Sequence, residues 1–91
     1  PDIIKAMALI PHNASVTADN TLVPRVASRA QIYEFPINWS KSDYIFLNMN
    51  CFRTSPLEYP AYLQEIAKIK KTNEFELIYD QNKVLLFRKK Y

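Results

Sequence analysis

Tyr44-Ile45-Phe46-Leu47-Asn48 is the stretch on which the fold turns. Four large apolar residues follow one another without alternation, so both faces of this strand-sized run need cover, as in a central strand flanked by helices. The rest of the chain is read outward from it. Ser15-Val16-Thr17-Ala18 alternates β-branched and small residues and predicts a first strand; Gln31 to Phe35 predicts a second, closed by Pro36. Ile3, Ile4, Met7 and Ala8 stand at helical spacing and predict a helix over 2–10, stopped by Pro11. Asp19-Asn20-Thr21 offers N-caps for a helix running to about Ala30, with Pro24 in its first turn and Leu22, Val26 and Ala30 on its buried stripe.

Downstream, the longest helix is expected over Pro60 to Thr72, with Leu63, Ile66 and Ala67 on one face. Phe75 to Asp80 and Val84 to Lys89 read as two strands joined by Asp80-Gln81-Asn82-Lys83, in which Asn82 takes the left-handed conformation of a tight turn. The order is helix, strand, helix, strand, strand, helix, strand, strand. It predicts an α/β fold: a three-layer αβα sandwich on a mostly parallel sheet of about five strands, ending in an antiparallel hairpin at one edge. Residues 1–91 are expected to form a single soluble domain. The opening at Pro1, with no initiator methionine and with helix-like apolar residues at once, reads as a segment excised from something longer.

Composition narrows the function classes. The chain has 91 residues and no glycine, where average usage would place roughly six. Phosphate-binding loops that bring the backbone against a phosphate, such as the dinucleotide fingerprint and the P-loop, are therefore excluded. The net charge of +3 arises in the second half. Residues 1–45 carry four basic and four acidic side chains and residues 46–91 carry eight and five. Lys68, Lys70 and Lys71 suit a helix C-terminus through the macrodipole, and Arg88-Lys89-Lys90 is a weak footprint for nucleic acid or anionic lipid, so no nucleic-acid partner is expected. Cys51 and His12 each stand alone, which leaves no nucleophile-base pair and no metal-ligand spacing. No catalytic residue, metal ligand or cofactor is assigned.

Ligands of open α/β sheets sit beyond the carboxyl ends of the parallel strands. That rule selects Asp19-Asn20-Thr21, Pro36 to Trp39, and Asn48 to Arg53. Arg25 and Arg29, four apart on one helix face, would clamp a phosphate or carboxylate, or else pair with acids and fix the helix. Trp39, in the polar loop Asn38 to Asp43, would stack on a sugar or meet a partner surface or lipid headgroups, unless it caps the core. The ligand-binding candidates are thus Asp19, Asn20, Arg25, Arg29, Trp39, Asn48 and Arg53. Asn13-Ala14-Ser15 and Asn38-Trp39-Ser40 are glycan acceptors only for a chain facing the outside.

The run Ile10-Pro11-His12-Asn13-Ala14-Ser15-Val16-Thr17-Ala18, followed by Leu22-Val23-Pro24, Arg29 to Pro36, and Asp43 to Asn48, carries a resemblance. It is similar to the soluble C-terminal domain of a family of predicted multi-pass membrane proteins of unknown function, which itself resembles membrane glycosyltransferases that use lipid-linked sugars. Arg25 and Asn48 depart from the pattern, which often has histidine and aspartate there. The resemblance implies a non-catalytic, extracytoplasmic accessory or binding domain, tethered to the transmembrane part of the same polypeptide and near a sugar or lipid-linked sugar. The catalytic acids would lie in the membrane part, so this segment is not itself the enzyme. The alternatives are a nucleotide- or S-adenosylmethionine-binding α/β enzyme fragment, against which the lack of glycine counts, and a purely structural interaction module.

Overall fold

The structure, a computed structural model, describes residues 2–26, 31–50 and 59–90. Its elements are helix α1 (Asp2–Met7), strand β1 (Ser15–Ala18), a 3-10 turn (Val23–Val26), β2 (Gln31–Glu34), a second 3-10 turn (Trp39–Lys41), β3 (Tyr44–Asn48), helix α2 (Tyr59–Thr72), β4 (Phe75–Gln81) and β5 (Val84–Lys89). The strands form one sheet in the order β2-β1-β3-β5-β4. β1 pairs in parallel with β2 and with β3, whereas β5 pairs antiparallel with both β3 and β4.

This arrangement corrects the expected mostly parallel, three-layer αβα sandwich. The sheet is mixed, with two parallel and two antiparallel pairings. β5 lies inside it, between β3 and β4, and the edge strand of the hairpin is β4. Among the described residues, one face carries a long helix. α2 covers Ile45, Leu47, Leu85 and Phe87 with Tyr62, Ile66 and Ile69. The opposite face, formed by Val16, Ala18, Tyr44, Phe46, Val84 and Leu86, is closed by the six-residue α1 through Ala6 and by Leu22 and Val26 around the first 3-10 turn. The helix expected from Thr21 is that 3-10 turn as far as Val26. Pro24 lacks the N–H of a helical ladder, which disfavours extending a regular helix through it. Ala27 to Ala30 lie outside the described residues.

Two-sided burial of β3 follows the absence of alternation in its sequence: all five residues are buried, odd and even positions facing different core clusters. The buried stripe of α2 is Tyr62, Ile66 and Ile69 rather than Leu63, Ile66 and Ala67; Leu63 is 38% exposed. Without glycine, left-handed backbone among the described residues falls to Asn38, Asn73, Asn82 and Lys83. Asn82 and Lys83, at φ 51° and 65°, make the two-residue turn of the β4–β5 hairpin, the geometry whose twist matches the flanking strands.

Candidate functional site

The chain passes from β1 outward to β2 and returns to β3 on the other side of β1, so the carboxyl ends of β1 and β3 form the topological switch of the sheet. Asp19 follows β1 at that point and is 5% exposed. Its backbone is fixed on both sides: its N–H donates to the Phe46 carbonyl, and its own carbonyl accepts from the N–H groups of Leu22 and Val23. The side chain is then aimed across the switch. Oδ2 accepts the Asn48 N–H at 2.7 Å and the Tyr62 hydroxyl, from α2, at 2.7 Å. Burial pushes the carboxyl pKa up from its ordinary range, and the nearby Glu34 charge acts in the same direction; the bonds from Tyr62 and Asn48 oppose it.

The polar chain continues past Asp19. Asn48 Oδ1 accepts from the backbone and side-chain N–H groups of Asn50, and the Asn50 amide also donates to the Asn82 carbonyl in the hairpin turn. The Asn82 amide donates to Asp2 Oδ2, and the Tyr79 hydroxyl donates to Asp2 Oδ1. These two bonds hold the Asp2 carboxyl below its ordinary range, Tyr79 being the larger influence, and the same contact pushes the Tyr79 phenol up to about 12. The end of the sheet is thereby laced from α2 to α1 by carboxylate, amide and phenol groups. Beside it, a cleft of about 400 Å³ opens between α2 and the hairpin, with Ile66 and Leu85 in its floor and Lys70, Asp80 and Lys83 among its walls.

The sequence candidates are only partly gathered here. Asp19 and Asn48 meet, Asn20 stands half-buried next to Asp19, and Arg25 is exposed. Among the described residues the salt bridges are Lys68–Glu65 and Arg88–Glu76, so Arg25 pairs with no described acid. Arg29, Arg53 and Cys51 lie outside the described residues. Trp39 is elsewhere: its indole N–H donates to Glu65 Oε1 at 3.1 Å, and its ring meets Phe75 edge-on at 6.2 Å, by the amino ends of β3 and β4. It caps the α2-side core from the loop. That loop is stitched to β1 by Thr17 Oγ1, 3.0 Å from the Ile37 carbonyl and 2.6 Å from Ser42 Oγ. Among the residues that meet at Asp19, the sequence did not single out Tyr62. The signal for Tyr62 was a phenol one position from the assumed stripe of α2; Thr21, in the selected loop after β1, has its Oγ1 buried without a hydrogen-bond partner.

What the lacing does chemically is hold strand ends and helices together. Both described donors to Asp19 come from the fold itself. No described group of three or more His, Cys, Asp or Glu is placed to hold a metal ion.

Residues 2–86 match the family model DUF2079, whose description is a predicted membrane protein. The chain belongs to the DUF2079 family. The resemblance to a family of predicted membrane proteins is thus correct at that level. No curated protein and no solved structure matches this DUF2079 chain. Among its described residues no helix is long and apolar enough to cross a membrane.

Proposed function

We propose that this DUF2079 chain serves as a non-catalytic accessory domain of a glycosyltransferase-like multi-pass membrane protein, held at the extracytoplasmic face, where it helps position a sugar or lipid-linked sugar for the membrane part. One observation carries the reading. The carboxylate that the fold buries at its switch point, Asp19, is engaged by the Asn48 N–H and the Tyr62 hydroxyl, so it braces the framework instead of facing a substrate. Membership in a family of predicted membrane proteins supports a tether, and the described helices do not themselves supply a span. The cleft beside the brace, apolar in its floor and with lysines and an aspartate in its walls, suits an amphipathic sugar phosphate.

Two measurements on the membrane protein carrying the chain test this. Alkaline phosphatase fused after Tyr91 is expected to be active and a fluorescent-protein fusion dark; the reverse pattern overturns the extracytoplasmic placement. A thermal-shift series with sugar phosphates, nucleotides and S-adenosylmethionine is expected to respond to the first class, with Lys70→Gln and Lys83→Gln reducing the response. A ligand at 100 times its dissociation constant adds about 2.7 kcal/mol, well within detection. Stabilisation by nucleotides or S-adenosylmethionine alone would replace this reading with an enzyme fragment.

A further inference from the structure

At the end of the sheet opposite Asp19, a second cleft of about 340 Å³ is lined by Trp39, Lys68, Lys71 and Thr72. Its walls are carbon almost throughout: the indole ring, the lysine stems and the threonine methyl. The polar groups that would read a sugar are already occupied. The indole N–H is bonded to Glu65 Oε1, and Glu65 is also paired with Lys68 at 2.8 Å, which holds its carboxyl below the ordinary range. What remains is an apolar shelf rimmed by cations. Lys71 has no ion-pair partner among the described residues, Lys41 ends the 3-10 turn that begins at Trp39, and Ile37 in the same loop is 58% exposed.

We infer that this shelf is the face with which the chain rests on an anionic lipid surface. An amphipathic ring at headgroup depth, an exposed aliphatic residue in the same loop and lysines whose stems lie along apolar surface while their ammonium groups reach phosphate is the pattern of an interfacial contact. Charge complementarity decides for lipid over a neutral occupant: Lys71, which lines the shelf, stands in a last turn of α2 that carries no acid. The inference rests on the reading above that the chain works beside a membrane.

The test uses the 91-residue chain and vesicles of phosphatidylcholine with or without phosphatidylglycerol. Trp39 is the single tryptophan, so its emission reports the shelf directly. Flotation with the anionic vesicles, a blue shift of that emission and loss of both in high salt are expected. Each lysine near an anionic surface is worth about 1 kcal/mol, so Lys71→Gln should lower vesicle partition about five-fold. Lys5→Gln, on α1 across the sheet, removes the same charge and should leave partition unchanged. No flotation, equal flotation on neutral vesicles, or an equal loss with Lys5→Gln would overturn the inference. The fusion experiment reads membrane side independently, so a failed docking face and a failed placement are told apart.

Discussion

Replacing Tyr62 by phenylalanine removes one oxygen from a fully buried side chain and deprives Asp19 of one of its two described donors. A hydrogen bond to a charged group contributes about 1.5–3 kcal/mol, and one between neutral groups about 0.5–1.5 kcal/mol. Which figure applies depends on the protonation of Asp19. Burial raises its folded pKa above 3.8, so the native state holds the proton more tightly than the unfolded chain does. Its contribution to stability is therefore greatest below the unfolded value and declines as pH rises through the folded value. Loss of the Tyr62 hydroxyl, which opposes that shift, raises the folded pKa further. The cost of Tyr62→Phe should accordingly be small in acid and grow with pH, reaching about 1.5–3 kcal/mol once Asp19 is ionised. Urea unfolding of wild type and variant at about pH 4 and about pH 8 reads the difference. Asp19→Asn keeps an acceptor oxygen but cannot ionise, so in that background the cost should no longer vary with pH. An equal loss at both pH values, or a pH dependence that survives Asp19→Asn, would refute the account of Asp19 as a buried, tethered carboxylate.

Other perturbations test the surrounding lacing. In a spectroscopic titration one tyrosine, Tyr79, should ionise near 12, and Asp2→Asn should return it toward the ordinary range; its bonded form supports the fold up to the unfolded phenol pKa and is lost as pH climbs through 12. Asp2, held low, supports the fold above 3.8 and ceases to do so as pH falls through its folded value, so Asp2→Asn should flatten the acid limb of a thermal-unfolding profile. Lys83→Gly relieves a left-handed lysine at φ 65°; strain of about 1–2 kcal/mol less the added unfolded-state entropy leaves a gain of about 0.5–1 kcal/mol, read as a rise in melting temperature. Thr21→Val removes a buried hydroxyl without a partner and should stabilise the chain by about 1 kcal/mol in the same assay, a loss counting against that geometry.

The strands were legible because their signals are local. Ser15 to Ala18, Tyr44 to Asn48 and Val84 to Lys89 each form over the expected residues, since β-branched and aromatic runs bounded by turn formers need no tertiary information. Strand order was not legible: nothing near Val84 to Lys89 says that it inserts beside β3 instead of adding to an edge, a choice made by the pairing of Ile45 with Phe87 and Leu47 with Leu85. The α2 stripe was displaced by one position because Tyr62 is amphipathic and was passed over for Leu63. For the site, the switch-point rule found Asp19 and Asn48 from topology alone. It could not foresee that the third partner would come from a helix beginning more than ten residues beyond Asn48. Trp39 was chosen for its polar loop, and it is Phe75 and Glu65, distant in sequence, that fix where it sits.

The clasp on α1 has a bearing on the order of folding. Its side-chain bonds from Asp2 reach residues 77 and 80 positions away, to Tyr79 and Asn82. Closing so long a loop has an entropic cost that only the assembled sheet can offset. α1 is therefore expected to dock after the hairpin has formed. Hydrogen exchange should show its amides leaving ahead of those of β3, marking α1 as a late-closing latch over a sheet already in place.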